Sequence, residues 1–479
     1  MNLKKTLLLT AILAASVLYL VKVTLPQREQ KAAEGRAFAD FDESKLSSID
    51  LNLRALDGST ESYSLDRGGV VPSELNDNLD WTMRGTQGAV LDGNVVRELI
   101  KGVKDLVVEE AISDRDLNPD LSVYGLDKPV LTVVASQGGE LSREIAFGKR
   151  SEYLSKRYAK VSGRSGVFLV ADAAFAPLSK SRKDIRSKNP IRFNVADIRE
   201  ALLTSSQGRI KVSQPVVGEW KIVEPKELPA SKDSVDALFN ALKGVTVSDF
   251  IDLKDLDLGQ YGFKSPRANI HIQLREGLAV NQIAFSLANA NAGKDGPGDL
   301  YLQMSGVDTL FKLASDPSAS LVKRVNDLRE TDILGVKVSD LDNIVSEGSG
   351  VTATTLATAG LVWTVNGKDS DPIFMEQYLK DLVALKAVDF PESVPADAFE
   401  PPFLKLIVTH KGSDKKVTTL TVGKEVTPGA SDVTRYVKSS RSETVYAIRD
   451  VEAKRLVPHE EALVAKATPA PSVAGAERK

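Results

Sequence analysis

The stretches NVADIREALLTSSQGRIKVSQPVVGEW (194–220) and KVSDLDNIVSEGSGVTATTLATAGLVW (337–363) are each 27 residues long and align without a gap. The alignment pairs Val195 with Val338, Asp197 with Asp340 and Ile198 with Leu341, and it ends on Trp220 and Trp363. Trp81 is the third tryptophan of the chain, and the three are separated by 139 and 143 residues. Such a period identifies a chain built of repeated units. A length of 479 residues leaves room for three or four domains of roughly 100–200 residues.

Each tryptophan precedes a helical pattern. Asp92 is placed to cap a stripe of Val95, Val96, Leu99, Ile100 and Val103. Asp233 precedes Val235, Leu238, Phe239 and Leu242, and Asp371-Pro372 precedes Phe374, Tyr378, Leu379, Leu382 and Leu385. Aspartate at the N-cap and proline at the first helical position are helix-start signals. Alternating strands surround these helices. YGLDKP (124–129) and YGFKSP (261–266) mark a bend before a strand, and the third copy has FEPPF (399–403) instead. Tyr158, Tyr301 and Tyr436 each lie 20 residues before Leu178, Leu321 and Leu456, and seven residues later come Ile185, Leu328 and Leu463. DIRSKN and DLRE close copies one and two, while copy three has Val464 where they carry Arg186 and Arg329.

The expected fold class is α+β: three tandem repeats, each a mostly antiparallel sheet with one main packed helix, after an N-terminal transmembrane helix. The expected boundaries are an anchor at 1–27, a linker at 28–44, repeats at 45–190, 191–330 and 331–465, and a disordered tail rich in Ala and Pro at 466–479. Residues 6–25 are predominantly apolar and carry no charge except Lys22, long enough for the ~20 residues that a bilayer requires. No small-x-small pair ends that run, so an uncleaved anchor is expected, with a cleaved signal peptide as its rival. Lys4 and Lys5 place the N-terminus in the cytoplasm by the positive-inside rule. The expected localisation is the inner membrane, single-pass, with the bulk of the chain in the periplasm.

REIAFGKRS (143–151) has the glycine and lysine of a phosphate-binding loop, but Arg143 stands where the first glycine would be needed. It matches TTLTVGKEV (418–426) in the third copy, while the second has Ser286 in place of the glycine. The repetition identifies a strand-ending turn.

Composition narrows the chemistry further. Sixty-two Lys and Arg against 65 Asp and Glu give a net charge of -3, which argues against a nucleic-acid or general membrane-surface role. The chain has no cysteine, which excludes disulfides, thiolate metal sites and cysteine nucleophiles. His271, His410 and His459 are scattered, and neither metal, cofactor nor catalytic residues are expected from them. Asp252, Asp255 and Asp257 fail the spacing of a calcium loop, because Pro266 stands where its glutamate belongs. The loop 289–300, NANAGKDGPGDL, is a polar insertion in copy two. Leu178 to Arg192 carries Lys180, Arg182, Lys183, Arg186, Lys188 and Arg192 against one aspartate. It reads as a solvated helix end or as a docking patch for an acidic partner or lipid headgroups.

Taken together, the tryptophan segments WTM, WKIVEP and WTVNG, the YGLDKP and YGFKSP bends, the IAFGK and LTVGK strand ends, the paired strands YAKV…VFLV and YVKS…VYAI, and the DIR and DLR closures resemble the bacterial family named domain of unknown function 4340 over roughly residues 45–465. Members are often encoded beside gliding-motility-type ABC-transporter components. The resemblance therefore implies a non-catalytic envelope accessory protein or scaffold, with membrane and ABC-transporter-type membrane proteins as partners and no nucleic acid. It supplies no catalytic residues. The alternative is a periplasmic protein holding a lipid or glycan between sheet and helix; an enzyme is the third reading.

Overall fold

The computed structural model describes residue 22 and residues 35–38, 41–68 and 80–465, apart from loop positions 114, 139–140, 152–154, 255, 279–280, 291–297, 350, 360–361, 413 and 430. Three antiparallel sheets follow one another along the chain. The first contains β1 (Leu46–Arg54), β2 (Thr60–Arg67), β3 (Trp81–Met83), β4 (Glu110–Ala111), β5 (Leu131–Gln137), β6 (Leu141–Arg150), β7 (Lys156–Val161) and β8 (Phe168–Ala171), in the order β3-β2-β1-β5-β6-β7-β8-β4.

The second contains β9 (Ile198–Ser205), β10 (Gly208–Val216), β11 (Glu219–Glu224), β12 (Leu228–Pro229), β13 (Val247–Asp252), β14 (Ala268–Leu274), β15 (Gln282–Asn289), β16 (Leu300–Met304) and β17 (Thr309–Leu313), in the order β12-β11-β10-β9-β14-β15-β16-β17-β13. The third contains β18 (Leu341–Glu347), β19 (Thr354–Ala359), β20 (Val362–Val365), β21 (Lys368–Asp369), β22 (Leu404–His410), β23 (Val417–Glu425), β24 (Thr434–Ser439) and β25 (Ser442–Arg449), in the order β21-β20-β19-β18-β22-β23-β24-β25. The tryptophans occupy β3, β11 and β20, the equivalent strand of each sheet.

One 12-residue helix follows each of these strands: α1 (Gly93–Lys104), α2 (Lys232–Lys243) and α3 (Pro372–Val383). Asp92 accepts from the backbone N–H groups of Asn94 and Val95, and Asp371 does the same for Ile373 and Phe374. Asp233 does not cap α2. The helix starts at Lys232, so Asp233 falls within its first turn, where a carboxylate still complements the helix dipole. Period-2 alternation sends Leu131, Val133 and Ala135 of β5 into the first core, where they meet Val96, Leu99, Ile100 and Val103 of α1. The third core repeats this with Met375, Tyr378, Leu379 and Leu382. Phe374, expected in that stripe, is exposed instead, and Met375 takes the buried position.

The expected transmembrane helix is corrected. Its residues, 6–25, lie outside the described ones except for Lys22, as does the tail 466–479. No helix among the described residues is long and apolar enough to cross a membrane. The three main helices, at 12 residues each, are about 18 Å long against the ~30 Å of a bilayer core, and each has a polar face. The fold is three sheet-rich repeats.

The glycine of the FGK motif lies inside β6, with no helix after it. A Cβ on Gly148 would come 2.1 Å from the Tyr124 carbonyl oxygen, and one on Gly423 would come 2.1 Å from that of Ala398. The glycine therefore admits the preceding turn. Ser286, at the same position in repeat 2, donates to Asn269 Oδ1 at 2.7 Å. The aromatic of each turn packs on the next tyrosine of the repeat. Ring centroids are 5.0 Å apart for Tyr124–Tyr158, 4.9 Å for Tyr261–Tyr301 and 6.4 Å for Phe399–Tyr436.

Repeats 1 and 2 belong to one compact unit, to residue 324. Residues 325–479, with Pro229–Ser231, form another.

Candidate functional site

The basic segment expected to dock a partner, residues 178–192, runs along the joint between repeats 1 and 2. Its apolar residues explain its course. Leu178 and Ile185 are buried in the core of repeat 1, which turns the intervening charges toward the neighbouring strand β13. The Lys180 carbonyl accepts from the Tyr63 hydroxyl at 2.7 Å, and burial pushes that phenol's pKa up. The Lys180 ammonium lies 3.7 Å from Glu98 on α1.

The next three cations cross to repeat 2. Arg182 meets Asp252 at 2.7 Å, Lys183 meets Asp249 at 3.1 Å, and Arg186 meets Asp252 at 3.0 Å. Arg182 also donates Nε to Met83 Sδ and a guanidinium N–H to Thr86 Oγ1. Arg186 is 4% exposed and lies over the Phe250 ring at 5.3 Å. Its Nε finds no hydrogen-bond partner among the described residues. Burial lowers the pKa of this guanidinium, opposed by the hydrogen bond to Asp252. Asp252 is 39% exposed, so water shares the neutralisation of the two arginines. The hydrogen bond from Lys183 lowers the Asp249 pKa from 3.8.

The backbone completes the joint. Val247 donates to the Lys188 carbonyl at 2.8 Å, and Asp308 donates to that of Gln87 at 3.0 Å. Asn189 reaches the Val245 carbonyl at 3.2 Å through its amide. Gly88 has φ +69, and a Cβ there would lie 2.7 Å from the Gly306 carbonyl oxygen. Arg192 turns back to the Asn189 carbonyl and the Ser187 hydroxyl. Lys188 is exposed. It lies with Lys180, Arg97 and Asp184 on an open cleft of about 770 Å³ beside the start of α1.

The same hydrogen bond recurs after each helix. Val108 donates to Gly35, Val247 to Lys188 and Ala387 to Thr331, each at 2.8 Å. Gly35 to Phe38 thus occupy on repeat 1 the place that the end of repeat 1 takes on repeat 2. Arg329 follows the pattern of Arg186, with its guanidinium 3.7 Å from the Phe390 centroid. Repeat 3 ends on Val464, which bridges Ser370 as Arg186 bridges Leu91.

The remaining candidates are dispersed. His271 is exposed on β14, beside a 480 Å³ cleft on the outer sheet face. His410 Nε2 lies 2.9 Å from Thr418 Oγ1, and His459 precedes the short helix Glu460–Leu463. No group of three metal-ligating side chains occurs among the described residues. Asp257 accepts from the Gly259 N–H, while Asp255 and most of the 289–300 loop lie outside the described residues. Sequence reasoning missed Gly88, Asp249 and Asp252 as parts of the joint. The signal was the shared Asp-Phe pair, Asp249-Phe250 and Asp389-Phe390, at one distance from the two aligned helices.

The family model described as Domain of unknown function (DUF4340) matches residues 81–214 and 220–402. No curated protein and no solved structure matches the chain.

Proposed function

We propose that this chain, which belongs to the DUF4340 family, is a non-catalytic scaffold of the bacterial cell envelope that works through protein contacts with an ABC-type transporter. The observation that carries the reading is the use made of the charged segment 178–192. Arg182, Lys183 and Arg186 hold one repeat to the next through Asp249 and Asp252, an arrangement suited to presenting surfaces in a fixed relation. The absence of cysteine fits an oxidising compartment outside the cytoplasm. The near balance of charge argues against nucleic acid as the partner. In repeats 1 and 3 the space between sheet and helix is filled by side chains, which leaves little room there for a lipid. A glycan would instead find hydrogen-bonding groups on the outer face of the second sheet, where Arg209, His271 and Gln273 line the 480 Å³ cleft.

The experiment is cross-linking of the full chain in intact cells, followed by identification of its partners. Transporter components recovered in constant ratio to the chain are expected. Their absence under conditions that preserve other envelope complexes would sink the reading.

A further inference from the structure

The repeats serve as internal controls for what the fold itself requires. In the gapless alignment of repeats 2 and 3, Glu219 corresponds to Val362, and at the helix start Asp233 and Ser234 correspond to Ile373 and Phe374. The fold is thus satisfied by two carboxylates and a hydroxyl at these places. In repeat 3 all three are apolar and outward, with Val362 50%, Ile373 76% and Phe374 57% exposed. They belong to adjoining segments: α3 packs against β20, the Ser370 N–H just before the helix donates to the Trp363 carbonyl at 3.1 Å, and Ile373 and Phe374 occupy the first turn of α3. We propose that this ledge is a docking surface for a basic protein segment with apolar anchors, of the kind an amphipathic helix with leucine on one face and lysine on the other presents.

Charge selects the occupant. Asp369, Asp371 and Glu376 flank the ledge on its own segment, and Glu460 and Glu461 lie on the short helix packed against α3. Two lysines stand among them: Lys368 pairs with Glu460 at 2.7 Å and Lys380 with Glu376 at 2.5 Å. The local balance stays negative, which repels an anionic lipid surface and attracts lysine or arginine. The segment 466–479 is a poorer fit. The Ala465 N–H donates to the Asp369 carbonyl at 3.0 Å, and Val464 pairs antiparallel with Ser370, so residues 464–465 run away from the start of α3. An apolar centre within a charged rim is the usual anatomy of an interface.

This inference rests on reading the chain as an interaction protein, but its test is separate from the transporter experiment. The probe is a fluorescent 14-residue peptide with leucine on one helical face and lysine on the other, titrated into the full chain at about 0.15 M salt, where distant charge attraction is screened. The variant I373D/F374S installs the residues of repeat 2, and V362E is an independent second change. Both should melt like the parent, since the three side chains are exposed. Each is expected to weaken peptide binding at least about tenfold, given the apolar area two such anchors bury. A leucine–glutamate peptide of the same pattern should bind the parent at least about tenfold more weakly.

Equal affinity for parent and variants overturns the proposal, as does equal binding of the acidic peptide. Tighter peptide binding after deletion of 466–479 would make that segment the occupant. Self-association abolished by I373D/F374S would make it a second copy, and phosphatidylglycerol vesicle binding abolished by the same change would make it lipid. Peptide binding without transporter cross-links would retain the surface and remove only the functional reading above.

Discussion

Arg186 in the first unit and Arg329 in the second each reach a phenylalanine that follows an aspartate, but they reach it in different surroundings. Arg186 is almost wholly buried, shares Asp252 with Arg182, and stands 5.3 Å from the Phe250 centroid. Arg329 is half-buried and closer to its ring, at 3.7 Å from Phe390. Burial lowers both guanidinium pKa values, and a hydrogen bond to Asp252 opposes the shift at Arg186. One position in the repeat therefore makes contact in two ways, through an ion-pair network or chiefly through the face of a ring. The comparison teaches that the closing arginine is a structural element of the repeat, and that its neighbours decide how much it matters.

The largest effect should come from the backbone beneath the ion pairs. Gly85 and Gly88 both have positive φ, +72 and +69, but a Cβ at Gly85 meets nothing within 4 Å, whereas one at Gly88 meets the Gly306 carbonyl. G85A should lower stability by about 1–2 kcal/mol, the cost of a left-handed L-residue. G88V should lower it by roughly 3 kcal/mol or more, because overpacking adds to that cost. Hydrogen exchange gives the local readout. The amides of Val247 and Asp308, which donate across the joint, should lose protection in G88V and retain it in G85A. Equal losses would show that close approach at Gly88 does not hold the joint.

The two arginines come next. R186A removes a buried guanidinium, its ion pair and its ring contact, and should cost about 2–4 kcal/mol. The lower part of that range is expected because Asp252 keeps Arg182. R329A removes mainly a cation–π contact, worth about 0.5–2 kcal/mol. Urea unfolding of the two variants, with far-ultraviolet dichroism as the probe, orders them. R329A as damaging as R186A would break the comparison and mean that the ring contact, rather than the ion pair, holds both arginines.

The repeated architecture was legible because it depends on local patterns: tryptophan spacing, helix caps at Asp92 and Asp371, and strand alternation. Two errors at helix starts share one cause. Asp233 and Phe374 each adjoin an apolar stripe in sequence, and a shift of one residue turns a side chain by about 100° around a helix. The candidate site was less legible. A run of six cations looks the same in sequence whether water or aspartate faces it, and Asp249 and Asp252 lie more than 55 residues beyond the segment's midpoint. Gly88 carried no signal either, since its role depends on the Gly306 backbone of another repeat. The anchor expected at 6–25 falls, apart from Lys22, outside the described residues, and no helix among the described residues could span a membrane.

The smallest effects separate a cation that holds the joint from one that only borders it. Lys183 and Asp249 meet at 3.1 Å with both side chains about half exposed, so the pair should be worth less than about 1 kcal/mol. Its signature is pH. The hydrogen bond from Lys183 keeps the folded Asp249 carboxyl below its ordinary pKa of 3.8. The pair therefore contributes fully above that value and loses its contribution as pH falls through the lower folded pKa. K183M should reduce the urea midpoint at pH 7, and its difference from the parent should shrink toward pH 3. A difference independent of pH would assign the effect to the lysine stem. K188E is the contrasting change: the Lys188 side chain is exposed, and its role in the joint comes through its carbonyl. Stability should stay within about 0.5 kcal/mol of the parent. If the 178–192 segment also docks an acidic partner, K188E can weaken that capture without loosening the joint. Reversing Arg182 or Lys183 cannot make this distinction, because each already faces an aspartate of repeat 2.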